Sequence, residues 1–242
     1  RALVVGAGGQ LGSAVLEQAL ARGGFQQVLA LTAGTLAPAM SGLAVLPEAA
    51  LAEGDAPPLA VDTAFVVYDR ARHANGREAA FHRPLPEHLP ALARALHQRG
   101  VRRLLVVLPQ ASVLLPQALK AGLASLDEAA VAALDFEHLL FLRPAQAPAA
   151  VAGQSLPQRV ADALLRQLHW MLPQPQQPVR AASVAGFAVA LARALPGTPG
   201  GTRIVPAELV WQSAQVADAD ALAAAWLGGT PLPPPRVRRQ RM

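Results

Sequence analysis

Short apolar runs alternate with longer amphipathic segments along the first 144 residues of this chain. The runs have the length and composition of buried strands and lie at Leu3–Val5, Val28–Leu31, Leu43–Leu46, Thr63–Tyr68, Arg103–Leu108 and His138–Leu142. Apolar residues three or four positions apart predict helices over residues 11–20, 81–96 and 116–134, and a Pro-rich loop is predicted after Leu46. Because strand and helix alternate, we expect a parallel sheet with helices on both faces, which is the doubly wound α/β class.

Beyond residue 144 the pattern becomes mostly helical. Helices are predicted near residues 156–171, 184–195 and 218–226, with one last strand at Thr202–Val205. We therefore expect an α/β domain over residues 1–144 and a small C-terminal helical and substrate region over 145–229 within the same unit. A Pro-rich basic tail is expected over 230–242.

Composition narrows the class of protein. Of the 242 residues, 52% are hydrophobic and 15% are charged, which is typical of a globular chain. Pro and Gln interrupt the apolar stretches before any reaches the roughly 18 to 20 residues that cross a bilayer. The absence of cysteine excludes disulfides and thiolate chemistry. The first strand begins without the pattern of a secretory signal, so we expect a cytoplasmic location and no membrane partner.

The positive charge is concentrated at one end of the chain. Four arginines lie in the last seven residues, and subtracting them from the net charge of +5 leaves +1 for the rest. No aromatic residues lie between these arginines to stack on bases, so a nucleic-acid partner is not expected. The tail is interpreted as a solvated end, with contact to an acidic partner as the alternative.

The first predicted strand ends in glycines and continues into a helix, in the stretch "VVGAGGQLG" of residues 4–12. Its glycines have the spacing GxxGxxG. After a strand and before a helix, such glycines permit a sharp turn, close approach of a diphosphate and tight packing of the helix on the sheet. The phosphates would lie on the free N–H groups at the start of the helix. The stretch therefore predicts a Rossmann-type dinucleotide site, and a tight turn that binds nothing is the alternative. The residues assigned to this site are Gly6, Gly8, Gly9, Gln10, Leu11 and Gly12.

The loop after the second strand usually selects the cofactor. An acidic residue there accepts hydrogen bonds from the NAD ribose, whereas an arginine binds the NADP phosphate. This chain has Thr32-Ala33-Gly34-Thr35, and no basic residue follows until Arg70. Thr32 could hydrogen-bond a ribose or a phosphate, or it could close its own loop. The expected cofactor is therefore NADP or NAD, with no choice between them.

Longer segments resemble the atypical or extended short-chain dehydrogenase/reductases, in particular their small NAD(P)H-binding reductase-like members. The resemblance spans about residues 2–210 and rests on the glycine turn together with "VDTAFVVYD", "ALARALHQRGVRRLLVV", "FEHLLFLRP" and "PVRAASVAGFAVALARAL". It implies a Rossmann fold that binds a dinucleotide. It also implies a serine after the fifth strand and a tyrosine four residues before a lysine, because hydride transfer to a carbonyl needs a proton donor and a hydrogen-bond donor.

The chain departs from this family at the catalytic positions. In "LLVVLPQASVLLPQALKAG" the lysine is matched by Lys120, but Pro116 stands four residues before it and Leu108 or Pro109 takes the serine position. Proline cannot donate a proton. The remaining catalytic candidates are Lys120, which could also bind the cofactor, and Ser112; a surface lysine and a turn or cap residue are the alternatives.

The other residues with chemical potential are assigned to structure. Tyr68, the sole tyrosine, is assigned to packing, with ligand contact as the alternative. The histidines lack metal-ligand spacing, so no metal site is expected. Those predicted on helix surfaces are His82, His88, His97 and His169.

Three functions remain open from the sequence. The first is an NAD(P)(H)-binding protein of atypical short-chain dehydrogenase/reductase type without the standard Tyr/Lys redox chemistry, acting as a sensor or regulator. The second is an NAD(P)H-dependent reductase of a small apolar carbonyl compound that uses another acid, and the third is a structural module that has lost the cofactor. The expected partners are a dinucleotide and a small apolar ligand. A side chain filling the glycine turn would count against nucleotide binding.

Overall fold

The computed structural model describes residues 1–34, 41–52, 57–69, 78–108, 127–144 and 179–234. The strands in these ranges are β1 (Ala2–Val5), β2 (Val28–Thr32), β3 (Leu43–Pro47), β4 (Thr63–Val67), β5 (Arg103–Val107), β6 (His138–Leu142) and β7 (Gly201–Val205). The helices are α1 (Gln10–Ala21), α2 (Glu48–Ala52), α3 (Leu89–Gln98), α4 (residues 127–132), α5 (Ala181–Ala194), α6 (Ala207–Ser213) and α7 (Ala219–Leu227).

The seven strands form one parallel sheet in the order β3-β2-β1-β4-β5-β6-β7. The chain builds the sheet outward from β1 to β3, then returns beside β1 and builds outward again from β4 to β7. This is a Rossmann-like doubly wound arrangement, and it confirms the predicted fold class. In such sheets ligands bind beyond the carboxyl ends of the strands where the order reverses, which here are β1 and β4.

Two hydrophobic clusters cover the two faces of the sheet. One lies under α1, α5, α6 and α7, and the other lies under α2, α3 and α4. Nine consecutive residues of α5, from Val184 to Ala192, are buried, because this helix packs against both α1 and α7 as well as the sheet. The described residues after 178 therefore complete the same sheet and the same core. No helix in the described ranges is both long enough and apolar enough to span a membrane.

The helix predicted over residues 81–96 is wrong in its first half. The α-helix begins only at Leu89, and Phe81 forms an isolated antiparallel bridge with Thr32. Two prolines, Pro84 and Pro86, explain the difference, because proline lacks the N–H group that a helix interior needs. His82, predicted on a helix surface, instead lies in this non-helical segment.

Two short helices are not predicted by the sequence pattern. Glu48–Ala52 is helical where a Pro-rich loop is expected, and Ala207–Ser213 follows β7 directly. Gln212 Nε2 donates to the carbonyl oxygen of Pro233 at 3.0 Å, so the chain stays in contact with α6 to that residue. The predicted helix near 156–171 and residues 235–242 of the tail lie outside the described ranges.

His138, the first residue of β6, has a buried imidazole. Its side chain is 1% exposed, Nδ1 has no hydrogen-bond partner within the described ranges, and Nε2 lies 3.6 Å from Glu137 Oε1. Burial lowers the pKa of His138 below its ordinary value; Arg103 and Arg203 lower it further, and Glu137 opposes them. The folded state therefore holds this imidazole neutral at pH values where the unfolded chain is already protonated.

Stability should fall as the pH drops below about 6.5, the unperturbed pKa of histidine. Below that value the unfolded chain binds the proton more readily than the folded state, so the free energy of unfolding decreases with pH. Each unit by which the folded pKa is lowered corresponds to about 1.4 kcal/mol. Urea unfolding at a series of pH values measures this loss. His138→Gln should remove it, whereas His88→Gln, at an exposed histidine, should keep it; an unchanged pH dependence in His138→Gln would contradict the assignment.

Candidate functional site

The glycine turn connects β1 to α1 at the carboxyl end of β1, beside the point where the strand order reverses. Gly6 has a φ of +89°, which lets the chain turn sharply after Val5. Gly9 is the N-cap residue of α1, with extended backbone angles (φ −82°, ψ 172°) and no side chain to cap the helix. The first turn of α1 contains no acidic residue. The positive end of the α1 dipole therefore has no counter-charge from its own segment.

Asp69 supplies that counter-charge from a different strand. It lies two residues beyond the end of β4, and its Oδ2 accepts a hydrogen bond from the backbone N–H of Leu11. A Cβ built on Gly9 would lie 2.7 Å from Asp69 Cβ and 2.9 Å from Oδ2. The aspartate thus packs directly on the face of Gly9 that the missing side chain leaves open.

Asp69 occupies the place where a diphosphate binds in Rossmann folds. There the phosphates lie on the free N–H groups at the start of the first helix, close to the glycines. We call the backbone of residues 9–11 the diphosphate position. Two like charges about 4 Å apart repel by about 4 kcal/mol at an effective dielectric constant of about 20. With Asp69 as placed, the residues present do not fit a dinucleotide, because the carboxylate takes both the donor and the space.

The other predicted cofactor residues of the turn are placed as follows. The side chain of Leu11 belongs to the core cluster under α1, and only its backbone N–H faces Asp69. Gln10 is exposed, and Gly8 is partly buried in the turn. Gly12 packs against the backbone of Gly6. The turn itself has the predicted strand, turn and helix, while its role in binding a cofactor stays a prediction.

The Thr32 side chain points into the protein. It is fully buried, and its Oγ1 donates to the carbonyl oxygen of Leu46 in β3 at 3.4 Å. This bond joins Thr32 to the neighbouring strand, and its predicted contact with a ribose or a phosphate stays a prediction.

The backbone beside Thr32 is also engaged. Ala33 N–H donates to Ala80 O at 2.9 Å, and His82 N–H donates to Leu31 O at 3.0 Å. Along β2, the backbone groups of successive residues point alternately toward β3 and toward β1, and those of Leu31 and Ala33 point toward β1. Residues 80–82, which bond to them, therefore lie in line with β1 beyond its end. These residues therefore fill part of the crevice beyond the carboxyl end of β1.

A contact between two side chains also links this segment to α2. His82 Nδ1 lies 3.0 Å from Glu48 Oε2 at the start of α2. The pair links the segment after β4 to α2, which follows the edge strand β3.

Tyr68 lies beside Asp69 but on the other face of the sheet. It is 5% exposed within the cluster under α3, and its hydroxyl has no hydrogen-bond partner in the described part of the chain. Burial raises the pKa of Tyr68 well above its ordinary value, and the charges of Asp127 and Glu87 raise it further. The hydroxyl therefore stays protonated at neutral pH, where it can donate a hydrogen bond but is a poor acid.

The two catalytic candidates lie elsewhere. Lys120 and Ser112 fall outside the described residues, as does Pro116. Their predicted roles stay predictions.

Asp69 was not predicted as a site residue, although the sequence carries a signal for it. The stretch "VDTAFVVYD" has an acidic residue just past a buried strand, while α1 has neither a capping side chain nor an acidic first turn. In the Rossmann strand order, the fourth strand lies next to the first. Together these features could have placed the carboxylate at the glycine turn.

Neither a scan against models of protein families nor a search of curated proteins found a match to this chain. The Rossmann-like fold therefore rests on the structure, and the link to short-chain dehydrogenase/reductases rests on sequence resemblance.

Proposed function

We propose that this protein is a non-redox Rossmann-fold module of the atypical short-chain dehydrogenase/reductase type, with a structural or regulatory role, whose own Asp69 takes the place of the cofactor diphosphate. One observation carries the proposal: the Asp69 carboxylate accepts the Leu11 N–H bond while packed on Gly9. Of the functions left open by the sequence, the module that has lost its cofactor agrees best with a filled glycine turn.

The sequence after β5 supports the non-redox part of the proposal. A carbonyl that receives a hydride becomes an alkoxide and needs a proton donor. The family position for that donor is Pro116, which has no proton to give. Tyr68 does not replace it, because its raised pKa makes it a poor acid and it is buried under α3.

A nucleotide sensor is the second candidate. Its support is the retention of the complete GxxGxxG turn at the point where the strand order reverses. In that case NADP or NAD would bind only after the Asp69 side chain had left Leu11. An active reductase would need the same movement and, in addition, an acid such as Ser112.

Thermal unfolding of the full chain with NADH and with NADPH tests the proposal. A ligand at about 100 times its dissociation constant adds about 2.7 kcal/mol of stability, which raises the midpoint measurably. We expect no rise with either cofactor at millimolar concentration, and an NADH-dependent dehydrogenase in the same buffer serves as the positive control. A raised midpoint would favour the sensor, and oxidation of the reduced cofactor with any member of a carbonyl panel would favour the reductase.

A further inference from the structure

We infer that Asp69 is the residue that excludes diphosphates from this Rossmann site, and that removing its side chain restores diphosphate binding. The inference deepens the proposed function and rests on it for the assignment of the diphosphate position. It concerns the relative affinity of two variants, so it can be tested whether or not the wild-type chain binds a nucleotide.

Helices α1 and α7 are capped in different ways. Helix α7 is capped locally, because Asp218 Oδ1 accepts from the N–H groups of Asp220 at 2.8 Å and Ala221 at 3.1 Å. Helix α1 has glycine at its N-cap and receives its carboxylate from Asp69, 58 positions away in the chain. A carboxylate at this place meets the same need for negative charge that a phosphate meets in a dinucleotide site.

Asp69 also takes up the space over Gly9. Because Gly9 has no Cβ, another group can lie close to the α1 backbone. Both the Cβ and the carboxylate of Asp69 lie in this space. Loss of the charge alone would leave the side chain in the way. Loss of the whole side chain should free both the space and the Leu11 N–H.

Asp69 is attached to the end of a central strand of the sheet. It follows Tyr68, whose N–H donates to Val107 O at 3.0 Å, and β4 is paired along its length with both β1 and β5. A group attached in this way competes with a free ligand at an effective concentration on the order of millimolar or higher. To displace it, a dissolved nucleotide must either exceed this concentration or bind the diphosphate position more tightly than the carboxylate does.

Titration with inorganic pyrophosphate, NADH and NADPH, followed by thermal unfolding and calorimetry, measures the effect. The variants are Asp69→Gly, which removes the side chain, and Asp69→Asn, which keeps its size and a hydrogen-bond acceptor. If Asp69 fills the site more than about nine-tenths of the time, Asp69→Gly should bind at least one probe about tenfold more tightly than the wild type. Asp69→Asn should gain less, because its amide still fills the space over Gly9.

Asp218→Gly is the matched control. It removes an aspartate cap from α7 and lowers the unfolding midpoint, but it should leave pyrophosphate affinity at the wild-type value. If Asp69→Gly fails to fold, Asp69→Ala replaces it, because alanine removes the whole carboxylate and frees the Leu11 N–H. Equal affinities of the wild type and the variant that lacks the carboxylate, for all three probes, would overturn the inference. Tight wild-type binding of NADH or NADPH would overturn the proposed function, and a tenfold gain on removing the carboxylate would then still show that Asp69 opposes diphosphate binding.

Discussion

Phe187→Ala should lower the free energy of unfolding by about 3 to 5 kcal/mol, the usual cost of removing a buried phenylalanine. Phe187 lies in the middle of α5, is fully buried and belongs to the cluster between α1 and the sheet. Its loss leaves a cavity in the core where α5 packs, and α5 is the helix that contacts both α1 and α7. Urea unfolding should show a lower midpoint with an unchanged slope.

The control for this variant is Ile204→Ala on β7. Ile204 is a large apolar residue that is 57% exposed, so its truncation should cost less than about 1 kcal/mol. A cost of that size for Phe187→Ala as well would mean that α5 is not part of the core. The assignment of the C-terminal residues to the same folding unit would then fail.

Gly12→Ala should be the next most damaging change, with a loss of up to about 3 kcal/mol. A Cβ at Gly12 would overlap the carbonyl oxygen of Gly6 and lie 2.7 Å from its carbonyl carbon and 3.1 Å from Ala7 Cα. All three are backbone atoms, so relief requires α1 to move away from the turn. This cost exceeds the roughly 1 kcal/mol by which alanine favours a helix over glycine.

Gly197→Ala provides the matched control for Gly12→Ala. A Cβ at Gly197 would meet nothing within 4 Å, and the change in stability should stay within about 0.5 kcal/mol. Chemical denaturation of both variants gives the comparison. If Gly12→Ala were as stable as the wild type, the close packing of α1 against the turn would be wrong, and so would the position of Leu11 opposite Asp69.

The strands could be predicted from the sequence to within about two residues. β4 and β5 are buried nearly along their whole length, so each appears in the sequence as a continuous apolar run. The alternation of strands and helices, with right-handed crossovers, predicted the doubly wound class, whereas the strand order was not predicted. This is why the fold class was correct although α2 and α6 were missed.

The error at Phe81 has a local and a distant cause. Phe81, Leu85 and Leu89 have helical spacing, but the prolines between them forbid a helix, and this local signal was available. The bridge of Phe81 to Thr32 joins residues far apart in the chain. Such a contact depends on the tertiary structure, because it forms on the side of β2 that is left unpaired beyond the end of β1.

The glycine turn could be predicted from the sequence, whereas the charge that fills it depends on the tertiary structure. The spacing of Gly6, Gly9 and Gly12 determined a strand, a tight turn and a helix, because these are short-range requirements of the backbone. Asp69 reaches the turn only because the strand order brings β4 beside β1. The sequence by itself therefore determined a Rossmann turn with room for an anion, through local backbone geometry. Only the tertiary structure decided that this anion is a carboxylate of the protein, since the pairing of two strands set the distance between them.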